Sequence, residues 1–351
     1  VDSEQQEKIL ISVVVLNYNG ARWIERCISS VLKQSLKPIE LLVADNLSTD
    51  GSDLVAQKLL AGVPNARFIS HGENLGYCEG NNRAVAHAQG EFILLLNNDA
   101  WLEEDCLEKL LSEVRRTGAS AATPLVLNWD DNDIQGGTFA SGFDLFGFPS
   151  FNRAPDTSSE ILMPAGCSYL IQRDLFLKLG GLDPVIFMYA DEWDLSWKVW
   201  VTGHSAVVVP SARLHHRGAA NVNPAGGAKM VETRTSETKR FYANRNALLV
   251  LLKNCQNLLL ILVLYQVLLL FFEMIAALIL VRRWSFIQRS YLAAFRDLVR
   301  LAPHIRAERR TLRALRKRSD FYMMRFFRLR MNRWDELVRA MRMGTPKVSP
   351  Q

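Results

Sequence analysis

Carboxylates and carboxamides recur in this chain in short runs, each following an apolar, β-branched stretch. Asn17-Tyr18-Asn19-Gly20 follows the first stretch, and Asp45-Asn46-Leu47-Ser48-Thr49-Asp50-Gly51 the second. Asn74-Leu75-Gly76-Tyr77 and Asn81-Asn82 follow the third, and Asn97-Asn98-Asp99 the fourth. A carboxylate so placed accepts from the N–H of a base or from ribose hydroxyls. Asp99, on the turn after the fourth stretch, suits a hard divalent cation bridging two phosphates, because Mg²⁺ and Mn²⁺ prefer oxygen ligands. One such run alone is ordinary turn chemistry. Four in register favour a ligand site. Further on, Asp191-Glu192-Trp193-Asp194 gathers three acids at the start of a helical pattern, where acids also simply satisfy the helix dipole. Asp191 and Asp194 share a helix face, while Glu192 points elsewhere.

The elements that position these residues alternate in period. Residues 9–16, 39–44, 66–70 and 91–96 have the look of buried strands. Residues 21–34, 52–60, 77–88 and 103–116 have helical spacing, with Trp23, Ile24, Cys27, Ile28, Val31 and Leu32 on one face of the first. This alternation predicts an α/β fold, an open and mostly parallel sheet flanked by helices, whose ligands sit beyond the carboxyl ends of the strands. The rhythm breaks after Pro124. Residues 128–159 read as a long irregular excursion. Regular pattern then resumes at 161–171, with helices at 173–179 and 192–201, a strand at 205–209 and a mobile, glycine-rich stretch at 224–228.

The charge is uneven. From Arg282 onward there are nineteen Lys and Arg against five Asp and Glu, so this tail carries +14 and the rest −8, giving the net +6. Such a tail meets anionic lipid or nucleic acid. It lacks aromatic interleaving on a sheet or any reader motif, so nucleic acid is not an expected partner. Leu258–Val281 is almost unbroken apolar sequence, long enough for a bilayer, which takes about 20 residues. It serves as a membrane element or as a core or oligomer helix. Residues 285–300 then predict a basic amphipathic helix, with Ile287, Tyr291, Ala294 and Leu298 on one side and Arg289, Arg296 and Arg300 on another. Basic helical pattern continues to about residue 342. Five scattered cysteines without metal-finger spacing fit a reduced compartment. The first eight residues are charged and polar, and no secretory leader is expected in them.

SVVVLNYNG, LLVADNLSTDGS, ENLGYCEGNN and FILLLNNDA resemble the nucleotide-binding half of the family 2 glycosyltransferases, which have the GT-A fold. AGCSYLIQRDLFLKLGGLD, FMYADEWDLSWK and YANRNALL resemble the acceptor half, especially in rhamnosyltransferase-like members. The resemblance, which spans about residues 11–252, implies a nucleotide-sugar half at 1–125 and an acceptor and catalytic half at 126–250, while the apolar and basic pattern predicts a membrane-associating helical region at 251–351. It implies that Asn17, Asn19, Asp45, Gly76, Asn81 and Asn98 line the nucleotide site. Asn97-Asn98-Asp99 stands in place of the family's D-x-D motif, which leaves Asp99 as the only anion and suggests a metal site (Mn²⁺ or Mg²⁺) completed mainly by the diphosphate. His216 matches a histidine that reaches the metal or the diphosphate. Arg245 matches a family Arg-Asn pair and suits the leaving diphosphate, because a guanidinium forks onto phosphate oxygens. In the 191–194 run Glu192 matches the general base, with Asp191 as its rival and Asp194 beside them.

The implied activity is inverting, metal-dependent transfer of a sugar from a nucleoside-diphosphate donor to a saccharide or lipid-linked saccharide in cell-surface polysaccharide synthesis. The family points to deoxythymidine-diphosphate rhamnose as donor, with uridine-diphosphate hexoses or galactofuranose behind it. The alternative is a non-catalytic, membrane-bound scaffold that binds sugar nucleotides, motivated by the thinned metal motif. Nucleotide sugars are cytosolic, and the positive-inside rule keeps the tail there too. The apolar segment therefore predicts a monotopic or re-entrant anchor on the cytoplasmic face, with 285–300 lying on anionic headgroups.

Overall fold

The four apolar stretches become four parallel strands. The computed structural model describes residues 8–151, 155–218, 234–329 and 347–348. In it β1 (Ile11–Asn17), β2 (Ile39–Asp45), β3 (Ala66–Ser70) and β4 (Phe92–Asn97) lie in the order β3-β2-β1-β4. Every residue of β2 is buried, as in a parallel sheet covered on both faces. One face is covered by α1 (Ile24–Leu32), α2 (Ser52–Leu60) and α4 (Cys106–Thr117). The other face is covered by α3 (Gly76–Val85) and by helices from later in the chain.

Beyond β4 the sheet is mixed. The later strands are β5 (Ala100–Leu102), β6 (Ala121–Asn128), the hairpin β7 (Ala140–Phe143) and β8 (Pro149–Phe151), β9 (Ser159–Glu160), β10 (Ser168–Gln172) and β11 (Ala206–His216). β10 inserts antiparallel between β4 and β6, and β11 runs parallel to β6 with β5 and β9 antiparallel along its far edge. Two expectations change here. The 128–159 excursion contains a hairpin. The strand expected at 205–209 runs on to His216, across a register shift between Val209 and Arg213. Pro210 donates no ladder hydrogen bond, and the irregularity lets pairing resume beyond it. That extension carries His215 and His216 onto the sheet edge.

The remaining helices are α5 (Arg173–Lys178), α6 (Asp191–Val201), α7 (Glu237–Asn254), α8 (Ile261–Val281), α9 (Trp284–Ile287), α10 (Ala293–Arg300), α11 (Ala302–Leu315) and α12 (Asp320–Met323). α7 is the spine of the C-terminal half and touches α6, α8, α10 and α11. Asp320 fixes the start of the apolar segment by accepting from the backbone N–H of Gln256, Asn257 and Leu259 at 2.9–3.0 Å. α8 itself turns only a narrow stripe inward, where Leu262, Gln266 and Leu270 are buried and Gln266 donates to the Phe146 carbonyl at 2.7 Å. Phe271, Phe272, Leu278, Ile279 and Leu280 on α8 are exposed.

The 285–300 helix differs from expectation. Ile287, Tyr291, Ala294 and Leu298 are buried within the protein, so its apolar face is not free to lie on headgroups. The basic tail is partly spent internally as well. Arg309 donates to the carbonyls of Leu252, Cys255 and Gln256 at the C-terminus of α7, and Arg318 to those of Trp200, Gly203 and His204 beyond α6. Cations there satisfy the orphan carbonyls of helix ends. The glycine-rich stretch at 224–228 and most of the tail beyond 329 lie outside the described residues. All five cysteines are buried free thiols.

Candidate active site

The carboxyl ends of β1, β2 and β4 meet in one hydrogen-bonded floor. Asn17 is fully buried and its amide donates to Asp45 Oδ1 (2.8 Å), Ser52 Oγ (2.8 Å) and Ser48 Oγ (3.1 Å). Ser48 returns its own N–H and hydroxyl to Asp45 at 2.9 and 2.6 Å. Asn98 reaches across from the end of β4 to Asn17 Oδ1 at 2.9 Å. A Cβ on Gly20 would stand 2.3 Å from the Asn98 amide nitrogen and 2.5 Å from Asn17 Oδ1, so only glycine lets these amides close. Asn19, left-handed at φ 51°, accepts from Thr49 N–H at 2.9 Å and lays the first loop over the second. Asp50, which sequence reasoning did not single out, caps the first loop and α2 by accepting from Ala21 N–H and from Ser52.

Gly76 and Asn81 hold the third loop. Gly76 is left-handed at φ 74°, and its carbonyl accepts from Asn46 at 3.0 Å. Asn81 is buried in α3 with its amide on the Tyr77 carbonyl at 2.9 Å, so it shapes this wall from beneath.

Asp99 and His216 come together although 117 positions separate them. His216 Nε2 lies 3.3 Å from Asp99 Oδ1, and the Asp99 carbonyl accepts from Arg217 N–H at 2.9 Å. His216 Nδ1 donates to Gln135 Oε1 at 2.9 Å, which leaves Nε2 as the ring's working nitrogen. Gln135 comes from the excursion at 128–159, and no motif marked it. Burial opposes charge on Asp99, but the hydrogen bond and charge of His216 outweigh it and hold the carboxyl below its usual range. Burial likewise opposes charge on His216, and there the Cys167 sulfur and Asp99 win and raise it well above its usual range. His215 is different. Its ring is buried, donates to the Asn128 carbonyl at 2.8 Å and stacks on Trp101 at 3.8 Å between centroids.

To enter a metal site His216 would have to give up its Nε2 proton to the incoming ion, and the carboxylate and neutral imidazole that result form an oxygen and nitrogen donor set that fits Mn²⁺ or Mg²⁺. Among the described residues no cluster of three or more metal-binding side chains exists. Asp99 and His216 would therefore hold such an ion by two atoms, with phosphate oxygens and water as the other ligands.

The acidic run divides in two. Asp191, which is buried, and Glu192, which is largely so, form a mutually hydrogen-bonded pair at the start of α6. Burial raises both. It raises Asp191 well above the carboxylate range, with the charge of Glu192 adding to the effect, while the hydrogen bond from Asp191 pulls Glu192 back. The two carboxyls thus titrate as a pair, and one proton shared between them is retained to higher pH than either acid alone would hold it. Glu192 faces Gly166, where a Cβ would stand 3.3 Å from the carboxyl carbon. Gly166 accepts from the Tyr77 hydroxyl at 3.1 Å, and the next residue, Cys167, accepts from Asn97 N–H at 3.1 Å. Through Gly166-Cys167 the Asp191–Glu192 pair adjoins the strand end that bears Asn98 and Asp99.

Asp194 is turned the other way. It accepts from Lys253 (2.9 Å) and Asn254 (2.7 Å) and pairs with Lys198 (3.1 Å), in a buried network with Asp183, His304 and Glu308. Burial resists its charge, but the two lysines hold it well below the usual range. Its carboxylate is consumed by structure, not aimed at a substrate. Arg245 is also redirected. Its guanidinium binds Asp297 and the carbonyls of Val185 and Ile186, so it is not available to a diphosphate.

Comparison with known proteins bears on the fold and the family. Residues 12–180 match the family described as glycosyl transferase family 2. An N-acetylglucosaminyl-diphospho-decaprenol L-rhamnosyltransferase of Mycobacterium tuberculosis is 30% identical over 242 residues, covering 59% of this chain and 76% of that protein. A chondroitin synthase of Escherichia coli is 32% identical over 153 residues, which cover 43% of this chain but only 21% of the synthase. Among solved structures, S. aureus TarS 1-349 superposes with a TM-score of 0.54 at 16% identity, covering 88% of this chain and 90% of its own. GalNAc-T7, solved with UDP, GalNAc and Mn²⁺, superposes with a TM-score of 0.50 at 16% identity over 60% of this chain and 44% of its own. These two likenesses establish the fold. With the rhamnosyltransferase identity and the matched segment, they place this chain in glycosyl transferase family 2, an inverting family that transfers sugars from nucleotide-sugar donors.

Proposed function

We propose that this protein transfers rhamnose from deoxythymidine-diphosphate rhamnose to a lipid-linked saccharide at the cytoplasmic face of a membrane, with Glu192 as general base. The observation that carries the mechanism is the Asp191–Glu192 pair. With the shared proton on Asp191 and donated to Glu192, the pair presents an ionised carboxylate whose pKa is raised toward working pH, which is what proton abstraction needs. The acceptor hydroxyl gives its proton to Glu192 as its oxygen attacks the anomeric carbon from the face opposite the diphosphate. The bond from that carbon to the diphosphate oxygen breaks, and the configuration inverts. Asp99 and His216 would hold a divalent cation at the diphosphate end of the donor, and such an ion would offset charge developing on the leaving group. Asn17, Asn19, Asp45, Gly76, Asn81 and Asn98 shape the nucleoside floor.

The donor reading is supported by the mycobacterial relative, whose name specifies rhamnose and a lipid-diphosphate acceptor. Thermal unfolding with single nucleoside diphosphates and Mn²⁺ tests it, since a ligand that binds only the native state raises its stability. Deoxythymidine diphosphate is expected to raise the midpoint more than uridine diphosphate, and the reverse order removes rhamnose. In Asp99→Ala the Mn²⁺-dependent part of that rise should vanish while the metal-free part survives. A metal effect that persists would displace Asp99 from the cation.

The membrane reading rests on α8, whose outward surface is apolar along its length while its inner stripe is bound to the body. A helix fixed in this way enters the bilayer sideways, as a monotopic seat. Flotation with vesicles containing anionic lipid should carry the protein upward, and Phe272→Asp with Ile279→Asp should leave it at the bottom. Equal flotation of both would move the seat elsewhere.

A further inference from the structure

Residues 185–190 follow a path that few side chains favour. Phe187, Tyr189 and Ala190 are left-handed, at φ 63°, 65° and 67°. Met188 N–H closes a tight turn on the Ile186 carbonyl at 2.7 Å. Such a segment persists only where its surroundings over-determine it.

Two adjacent side chains of α7 do this from one side. Asn246 donates to the carbonyls of Ile186, Met188 and Tyr189 at 3.1, 2.9 and 2.9 Å. Arg245 forks onto the Val185 and Ile186 carbonyls and is braced by Asp297 of α10 at 3.0 Å. Its Nε donates to Asn246 Oδ1 at 2.9 Å, which turns the amide so that its NH₂ faces the three carbonyls. The third loop, which bears Gly76 and Tyr77, holds the segment from the other side. The Phe187 carbonyl accepts from Tyr77 N–H at 2.9 Å, and a Cβ on Gly76 would stand 2.4 Å from the Phe187 ring. The segment ends at Ala190, whose carbonyl accepts from Asp194 N–H at 3.0 Å as the first hydrogen bond of α6. Asp191 and Glu192 therefore begin where the constrained path stops.

We propose that residues 185–190 form a strained strap that seats the Glu192 carboxylate against the donor site, and that Arg245 and Asn246 are the positioning residues that hold it. The inference rests on Glu192 being the base. Neither side chain touches substrate. Each acts by denying the strap its relaxed conformations, because a base displaced by about 1 Å costs on the order of a hundredfold in rate. Asp297 extends the device to the C-terminal helices, which belong to the catalytic unit through this contact.

A double-mutant cycle on the full chain tests the strap. The kcat of sugar transfer is measured for wild type, Asn246→Ala, Glu192→Gln and the double variant, with nucleoside-diphosphate affinity measured alongside. Asn246→Ala is expected to lose between about tenfold and a hundredfold in kcat with nucleotide affinity preserved. In the Glu192→Gln background the same change should cost less than about threefold, because a positioning residue loses its effect once the group it positions is gone. Additive losses, or an Asn246→Ala enzyme with wild-type kcat, overturn the strap. A fully active Glu192→Gln enzyme overturns the base itself. If Asn246→Ala does not fold, Arg245→Lys takes its place in the cycle. It keeps the charge facing Asp297 and loses the fork on Val185 and Ile186, and the same non-additivity decides.

Discussion

Glu192→Gln is expected to lower kcat by about 10²- to 10⁴-fold, the range that a positioned general base contributes. Nucleotide binding should be retained, since the nucleoside floor contains none of the 191–194 acids. Asp191→Asn is expected to cost much less, about tenfold or under, because the carboxamide still donates to Glu192 as the protonated Asp191 does. The two variants also carry a stability signature. A carboxyl whose folded pKa is raised supports the fold below its unfolded pKa, and that support is lost as pH rises through the folded value. Both acids are raised, so at neutral pH the charge on Glu192 weighs against the fold. Glu192→Gln should therefore unfold at an equal or higher urea concentration than wild type. The acid limb of kcat against pH should fall at a midpoint above the ordinary glutamate value of about 4.3. Loss of both activity and stability in Glu192→Gln would make the pair structural.

Asp194→Asn is expected to behave in the opposite way, costing roughly 3–5 kcal/mol of stability, the usual result of removing one partner of a buried ion pair. Lys253 and Lys198 are 2% and 4% exposed, and a neutral carboxamide in place of Asp194 would leave their charges facing only Asp183 and Glu308. The folded pKa of Asp194 is depressed, so its contribution is fully present above the unfolded value of about 3.9 and is lost as pH falls through the folded one. Wild type should thus keep this network to below the ordinary carboxylate range, while Asp194→Asn starts from the lower stability at every pH. Urea unfolding from pH 7 downward reads both. An Asp194→Asn protein within about 1 kcal/mol of wild type at pH 7 would show that the lysines find adequate partners without it.

These two predictions separate acids that stand two positions apart in one helix. The difference lies in what surrounds them. Asp191 and Glu192 have burial and each other, so burial wins and their pKa values rise. Asp194 has burial and two lysines, so the lysines win and its pKa falls. Arg245 illustrates the same point for a cation. Its type and motif suit a phosphate, yet Asp297 and two carbonyls claim all of its fork.

By itself the sequence determined the strand-and-helix alternation of residues 9–116, and with it the placing of a polar floor at the carboxyl ends of β1, β2 and β4. Periodicity and turn chemistry are local properties, and Asn17, Asp45 and Asn98 stand at the ends of strands whose limits can be read from a few residues. It also marked Leu258–Val281 as long and apolar enough for a membrane. Only the tertiary structure decided that β11 runs through to His216, that Gln135 orients the ring facing Asp99, and that the amphipathic helix at 285–300 turns its apolar face onto α7. It also decided that Asp194 and Arg245 are bound to the framework. Each of these depends on partners roughly fifty to more than a hundred residues away, brought together by packing of whole elements, and local spacing along the chain carries no record of which distant neighbour a side chain will meet.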